Sequence, residues 1–154
     1  MSKCKLIKKI ELDIMKEEDI LNKKEKTVVL LAASIASGCQ PCTKYHIERG
    51  LESGFTEDEI RKIVVLAISV RDKATRYMES FALNKEAETR TEIQEDLDRS
   101  DLLVGIAASY SINFQIDYSI YLSIGKKRGM SNRELSEIII ISRAVSDKAR
   151  SLLI

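Results

Sequence analysis

The chain has 154 residues, 44% of them hydrophobic and 32% charged, and its 25 lysines and arginines against 24 aspartates and glutamates leave a formal charge of +1. That length suits one domain able to bury a substantial core. Charges of both signs are interspersed, which excludes the basic footprint of a nucleic-acid binder and an acidic tail, while the longest apolar run, TVVLLAASIA, reaches about half the length of a membrane span.

Taken in chain order, the opening MSKCKLIKKIELD puts acidic residues where a signal peptide needs its apolar stretch. Three cysteines are an odd number and too few for a disulfide scaffold, so a cytoplasmic protein in a reducing compartment is expected, with Cys4 a bystander thiol. Residues 5–22 read as a leading amphipathic helix. A second helix is predicted over 26–37 and is ended by Gly38. A third covers 40–53, with Cys39 at or near its cap and Pro41 in its first turn, where proline is tolerated. After Gly54, Thr56 and Glu59 spell a capping box that opens a long helix over 56–83. NKEAETRTEIQEDLDRSD, residues 84–101, reads as a polar, solvated helical connector. Gly129 and the Ser131–Glu134 capping box then open the last long helix, whose terminal SLLI is expected to pack rather than to anchor. With one proline, six glycines and no bounded alternating pattern, the fold class is all-α.

The chain also resembles itself. A shift of 75 residues sets AAS (32–34) on AAS (107–109), GFTEDEI on GMSNREL and VRDKA on VSDKA, with 13 identities over the 53 ungapped positions from Thr27 to Glu79. The expected organisation is therefore a single all-helical domain over 1–154. Within it lie a leading helix (1–25), a first three-helix unit (26–83), the connector (84–101) and a second unit (102–154). Residues present in both units, such as Asp72 and Lys73 with Asp147 and Lys148, are expected to serve packing. Residues confined to one unit are candidates for chemistry. Cys39, Cys42 and His46 meet that test, because Phe114, Asp117 and Tyr121 stand in their places.

The segment SGCQPCTKYH spaces Cys39, Cys42 and His46 three and four apart, so one helix face carries all of them. Both sulfurs fall in the first turn, where unpaired N–H groups and the helix dipole favour thiolate. An imidazole one turn below Cys42 is placed to take its proton. An oxidised Cys42 can be resolved by Cys39 as an intramolecular disulfide. Two other readings stay open at this point. One is a zinc site, although these residues supply at most three ligands and only Cys4 remains to complete it. The other is plain packing of two small hydrophobes and a core histidine.

AASIASGCQPCTKYHIERGLESGFTEDEI resembles the alkylhydroperoxidase AhpD-like / carboxymuconolactone decarboxylase family, in its branch with a C-x-x-C-x-x-x-H motif. The resemblance covers about 50 residues of the first unit closely, and the second unit resembles the same fold without the motif. It implies an AhpD-like helical fold, a homo-oligomer (trimer or hexamer) and peroxide reduction through a dithiol–disulfide cycle. A dithiol reductant, lipoyl-type or thioredoxin-like, would renew the enzyme, and no cofactor is required. By position, Cys42 would attack the hydroperoxide, Cys39 would resolve it and His46 would relay the proton. One departure stands out: the family's relay glutamate, twelve residues before the first cysteine, is Thr27 here. Glu25 points to the other side of the helix, so Glu48 or a carboxylate of a neighbouring subunit is a possible substitute. General thiol–disulfide exchange, a metal-binding scaffold and a non-redox decarboxylase-like protein are the alternative functions.

Overall fold

A computed structural model describes residues 20–85, 93 and 96–153. Cys4, the leading helix up to residue 19 and most of the polar connector lie outside the described residues. Within them the chain is all-helical: α1 (Lys23–Ala36), α2 (Gln40–Glu52), α3 (Glu57–Ala82), α4 (Arg99–Ser111), α5 (Gln115–Lys127) and α6 (Asn132–Ser151), with no strand.

The starts of these helices are set by side-chain caps, which satisfy N–H groups that have no partner inside the helix. Capping boxes open four of them, at Asn22–Glu25, Thr56–Glu59, Asp98–Asp101 and Ser131–Glu134. The first and third correct the sequence reading. Helix α1 begins at Lys23 rather than near residue 26, because Asn22 accepts from the Glu25 N–H. Helix α4 begins at Arg99, inside the stretch read as connector, because Asp98 accepts from the Asp101 N–H at 2.8 Å. Residues 20–22, expected to end the leading helix, are not helical.

The helices end in the same way at matched places. Gly38 and Asn113 adopt φ of 70° and 56°. Around them, Cys39 N–H donates to Ser34 O and Phe114 N–H to Ser109 O, closing paired Schellman turns. Gly54 and Gly129 repeat the device after α2 and α5.

Helices α1 and α4 pack on each other at the centre, and α3 and α6 each touch both. Every residue from Lys26 to Ala36 is buried, as is every residue from Leu102 to Ser109. A helix that is apolar all round must be enclosed, and each buried Leu or Val here contributes about 1.5–3 kcal/mol. The long helices are amphipathic instead. Ile60, Ile63, Ala67 and Val70 form the buried stripe of α3, and Leu135, Ile138, Ser142 and Val145 form that of α6 at the same positions 75 residues on. No helix among the described residues is long and apolar enough to cross a membrane.

Ion pairs between the units follow the same step with their signs exchanged. Lys26 in α1 meets Glu137 in α6 at 3.2 Å, and Asp101 in α4 meets Lys62 in α3 at 3.2 Å. In the first pair Lys26 is buried and Glu137 partly so, whereas Lys62 is well exposed.

Candidate active site

Cys39 is the N-cap residue of α2, with extended backbone, and its Sγ accepts the Cys42 N–H at 3.3 Å. Gly38 delivers it there. Its φ of 70° suits glycine, and a Cβ at that position would lie 2.7 Å from Arg71 Nη1. The Arg71 guanidinium reaches from α3 to cover this turn and donates to the carbonyls of Ile35 and Ala36 at the end of α1. Pro41 then occupies the first turn of α2, where its missing N–H costs nothing.

The structure brings the two predicted cysteines together. Cys39 and Cys42 are joined as a disulfide, their Cα atoms 5.3 Å apart. Both are buried, at 6% and 2% exposure, in a cluster with Tyr45 that is covered by Ala149 of α6 and by Leu152, the C-cap residue of that helix. The terminal SLLI thus packs as expected through Leu152, while Leu153 is exposed.

His46 lies one turn below Cys42 on the buried side of α2 and is 4% exposed. Its ring meets that of Tyr45 edge-on at a centroid distance of 5.2 Å. Burial pushes its pKa from the ordinary 6.5 down to about 4, so the imidazole is neutral at neutral pH. Its Nδ1 is buried with no hydrogen-bond partner among the described residues. No group of three or more His, Cys, Asp or Glu among the described residues is arranged to hold a metal ion.

The carboxylates considered as relays lie elsewhere. Thr27 sits where the family's glutamate would stand. It is buried against α2, 3.7 Å from where a Cβ of Gly50 would be, and its hydroxyl donates to Lys23 O. Glu25 is engaged at the mouth of α1, capping Asn22 N–H and accepting from Arg99 Nε. Glu48, two residues beyond His46 on the same helix, is exposed. This corrects the expectation that Glu48 substitutes for the missing acid, since a helix turns residues two apart to different sides.

In the second unit the same frame holds other groups. Phe114 is the N-cap residue of α5 and makes no side-chain cap bond. Asp117 is fully buried and accepts a hydrogen bond from Lys73 Nζ at 3.0 Å. Burial raises its pKa, and Lys73 opposes the rise. Tyr121 takes the place of His46 and packs on Gly105, where a Cβ would lie 2.3 Å from its ring; burial pushes its pKa up to about 12. Sequence reading did not single out Arg71, Tyr45 or the Lys73–Asp117 pair. Its usable signal was the 75-residue shift itself, which sets Asp117 on Cys42.

The model of the carboxymuconolactone decarboxylase family matches residues 5–83, a span that runs through the end of α3 and stops before the second unit. No curated protein matches the chain. The family match covers just over half of the chain and coincides with the unit that carries the cysteines, and the architecture is helical throughout the described residues. The chain belongs to the carboxymuconolactone decarboxylase family.

Proposed function

We propose that the protein is a thiol-dependent, alkylhydroperoxidase-like peroxidase cycling between the Cys39/Cys42 dithiol and its disulfide. The observation that carries this reading is the bonded pair of cysteines at the N-cap and first turn of α2, with a buried imidazole one turn below Cys42. Family membership supports an enzyme of this kind, since the resemblance noted for the C-x-x-C-x-x-x-H segment implies dithiol peroxide reduction.

The cycle balances without a cofactor. The Cys42 thiolate attacks one oxygen of the hydroperoxide, the O–O bond breaks, and an alkoxide leaves that takes up a proton to become the alcohol. Cys42 is then a sulfenic acid. The Cys39 sulfur displaces its hydroxyl, which leaves as water, and the disulfide forms. A dithiol donor, lipoyl-type or thioredoxin-like, reduces that disulfide by exchange and becomes oxidised itself. In this reading the neutral His46 accepts the Cys42 proton and returns it to the leaving alkoxide.

A second reading, general thiol–disulfide exchange, is favoured by one observation: His46 Nδ1 has no hydrogen-bond partner among the described residues, and Thr27 stands where the family's relay acid would be. Exchange needs no proton delivered to an alkoxide and tolerates that gap. Exposed Val65, Ile68, Met78 and Phe81 on α3 support a homo-oligomer, trimer or hexamer. A single domain of two tandem units, working in the cytoplasm, completes the proposal.

The test is peroxide-dependent consumption of a dithiol by the wild type, Cys42→Ser, Cys39→Ser and His46→Ala. Loss of turnover in both serine variants and a reduced rate in His46→Ala are expected. Unchanged turnover in Cys42→Ser removes the proposal. A ring-opening or decarboxylating activity that survives both serine substitutions replaces it with the non-redox reading.

A further inference from the structure

The long helices serve each other's units. In its second half, α3 reaches across to the second unit, where Tyr77 lies against Phe114 at a centroid distance of 5.7 Å and Lys73 bonds Asp117. Helix α6 makes the corresponding approach to the first unit. Leu152, which is 75 residues beyond Tyr77, packs on the cluster containing Cys39, the counterpart of Phe114. The Ser146 and Ser37 hydroxyls, 3.0 Å apart, pin α6 to the turn before Cys39.

One contact of this set has no counterpart yet. Lys73 and Tyr77 lie four apart on one face of α3, as Lys148 and Leu152 do on α6. The partner of Lys73 is Asp117, and the residue 75 positions before Asp117 is Cys42. Lys148 is half-buried and makes no ion pair among the described residues. With Cys42 in a disulfide, this position holds no anion for it to meet.

We propose that Lys148 is the counter-cation of the Cys42 thiolate, approaching it as Lys73 approaches the Asp117 carboxylate. The proposal rests on the dithiol reading given above and adds the group that holds the nucleophile ionised. Other groups facing the sulfurs leave that role open. Burial pushes the His46 pKa down to about 4, so its imidazole takes the Cys42 proton only in passing and does not keep a charge beside the sulfur. Arg71, approaching from α3, is bonded to the carbonyls of Ile35 and Ala36. An ammonium within a few ångströms lowers a thiol pKa by roughly 1–3 units.

The experiment follows alkylation of reduced full-length protein by iodoacetamide as a function of pH, with modification of Cys42 read by peptide mass spectrometry. In the wild type the midpoint should fall below the ordinary thiol value of about 8.5. Lys148→Met should raise it by about one unit, so that alkylation at low pH slows roughly tenfold, and Lys148→Arg should restore it. Lys148→Gln serves the same comparison if the methionine variant does not fold. A depressed midpoint unchanged in the neutral variants overturns the role of Lys148 and leaves the dithiol reading standing. An ordinary midpoint in the wild type overturns both.

Discussion

Residues 39–46 and 114–121 occupy one backbone frame twice, and the comparison separates what the frame requires from what chemistry requires. Both begin after a left-handed residue, both place their second landmark on the buried side of a short helix, and both are covered by the long helix of the other unit. In the first unit those landmarks are two sulfurs and an imidazole. In the second they are an aromatic ring, a carboxylate held by Lys73 and a phenol seated on Gly105. A buried position that accepts a carboxylate beside a lysine is electrostatically ready for a thiolate. The frame thus encloses a lysine-paired carboxyl group in the second unit and a disulfide in the first.

The comparison is tested most severely where the two units exchange charges. Removing Lys26 leaves the largely buried Glu137 carboxylate with the Leu21 N–H but no cation, so Lys26→Met should cost about 3 kcal/mol. The corresponding Lys62→Met, at an exposed ammonium, should cost no more than about 1 kcal/mol. Denaturant titration of both variants checks the asymmetry, and equal losses would mean that burial does not distinguish the two pairs.

A next-largest effect concerns His46. Its folded pKa of about 4 lies below the ordinary 6.5, so between those values the unfolded chain binds more protons than the folded one. The stability it contributes is complete above pH 6.5 and is lost as pH falls toward 4, by about 3 kcal/mol in all. Unfolding of the oxidised protein against pH should show this slope, and His46→Gln should abolish it. Tyr121, in the same place of the second unit, has its pKa pushed up to about 12 and adds nothing in that window.

The smallest effect separates the neighbours of these two rings. Gly105→Ala forces the Tyr121 ring to move and should cost about 1–3 kcal/mol. Pairing Gly105→Leu with Tyr121→His rebuilds the Leu30/His46 combination of the first unit and should recover part of the loss. A double-mutant cycle on these two sites measures the coupling, and strict additivity would deny that the two positions are packed as a unit.

Much of this fold was legible because its signals are local. Thr56 with Glu59, Ser131 with Glu134, and the glycines before them placed two helix starts correctly, and the cysteine spacing placed the bonded pair. The starts at Asn22 and Asp98 were missed because their caps are Asn/Glu and Asp/Asp, set within polar stretches without an apolar step to mark them. The 75-residue shift showed that Lys73 and Lys148 correspond but not that Lys73 reaches Asp117. That depends on each long helix crossing to the opposite unit, which no local pattern encodes. The orphaned Nδ1 of His46 likewise follows from tertiary burial, although Thr27 in the glutamate position hinted at it.

The dithiol cycle itself is tested most directly by the mass of the reduced protein after one equivalent of an organic hydroperoxide. The account predicts the loss of two hydrogens, a peptide linking Cys39 to Cys42 and one equivalent of the alcohol. Thiols that survive the peroxide, or a Cys42 that gains oxygens while Cys39 stays free, would contradict it.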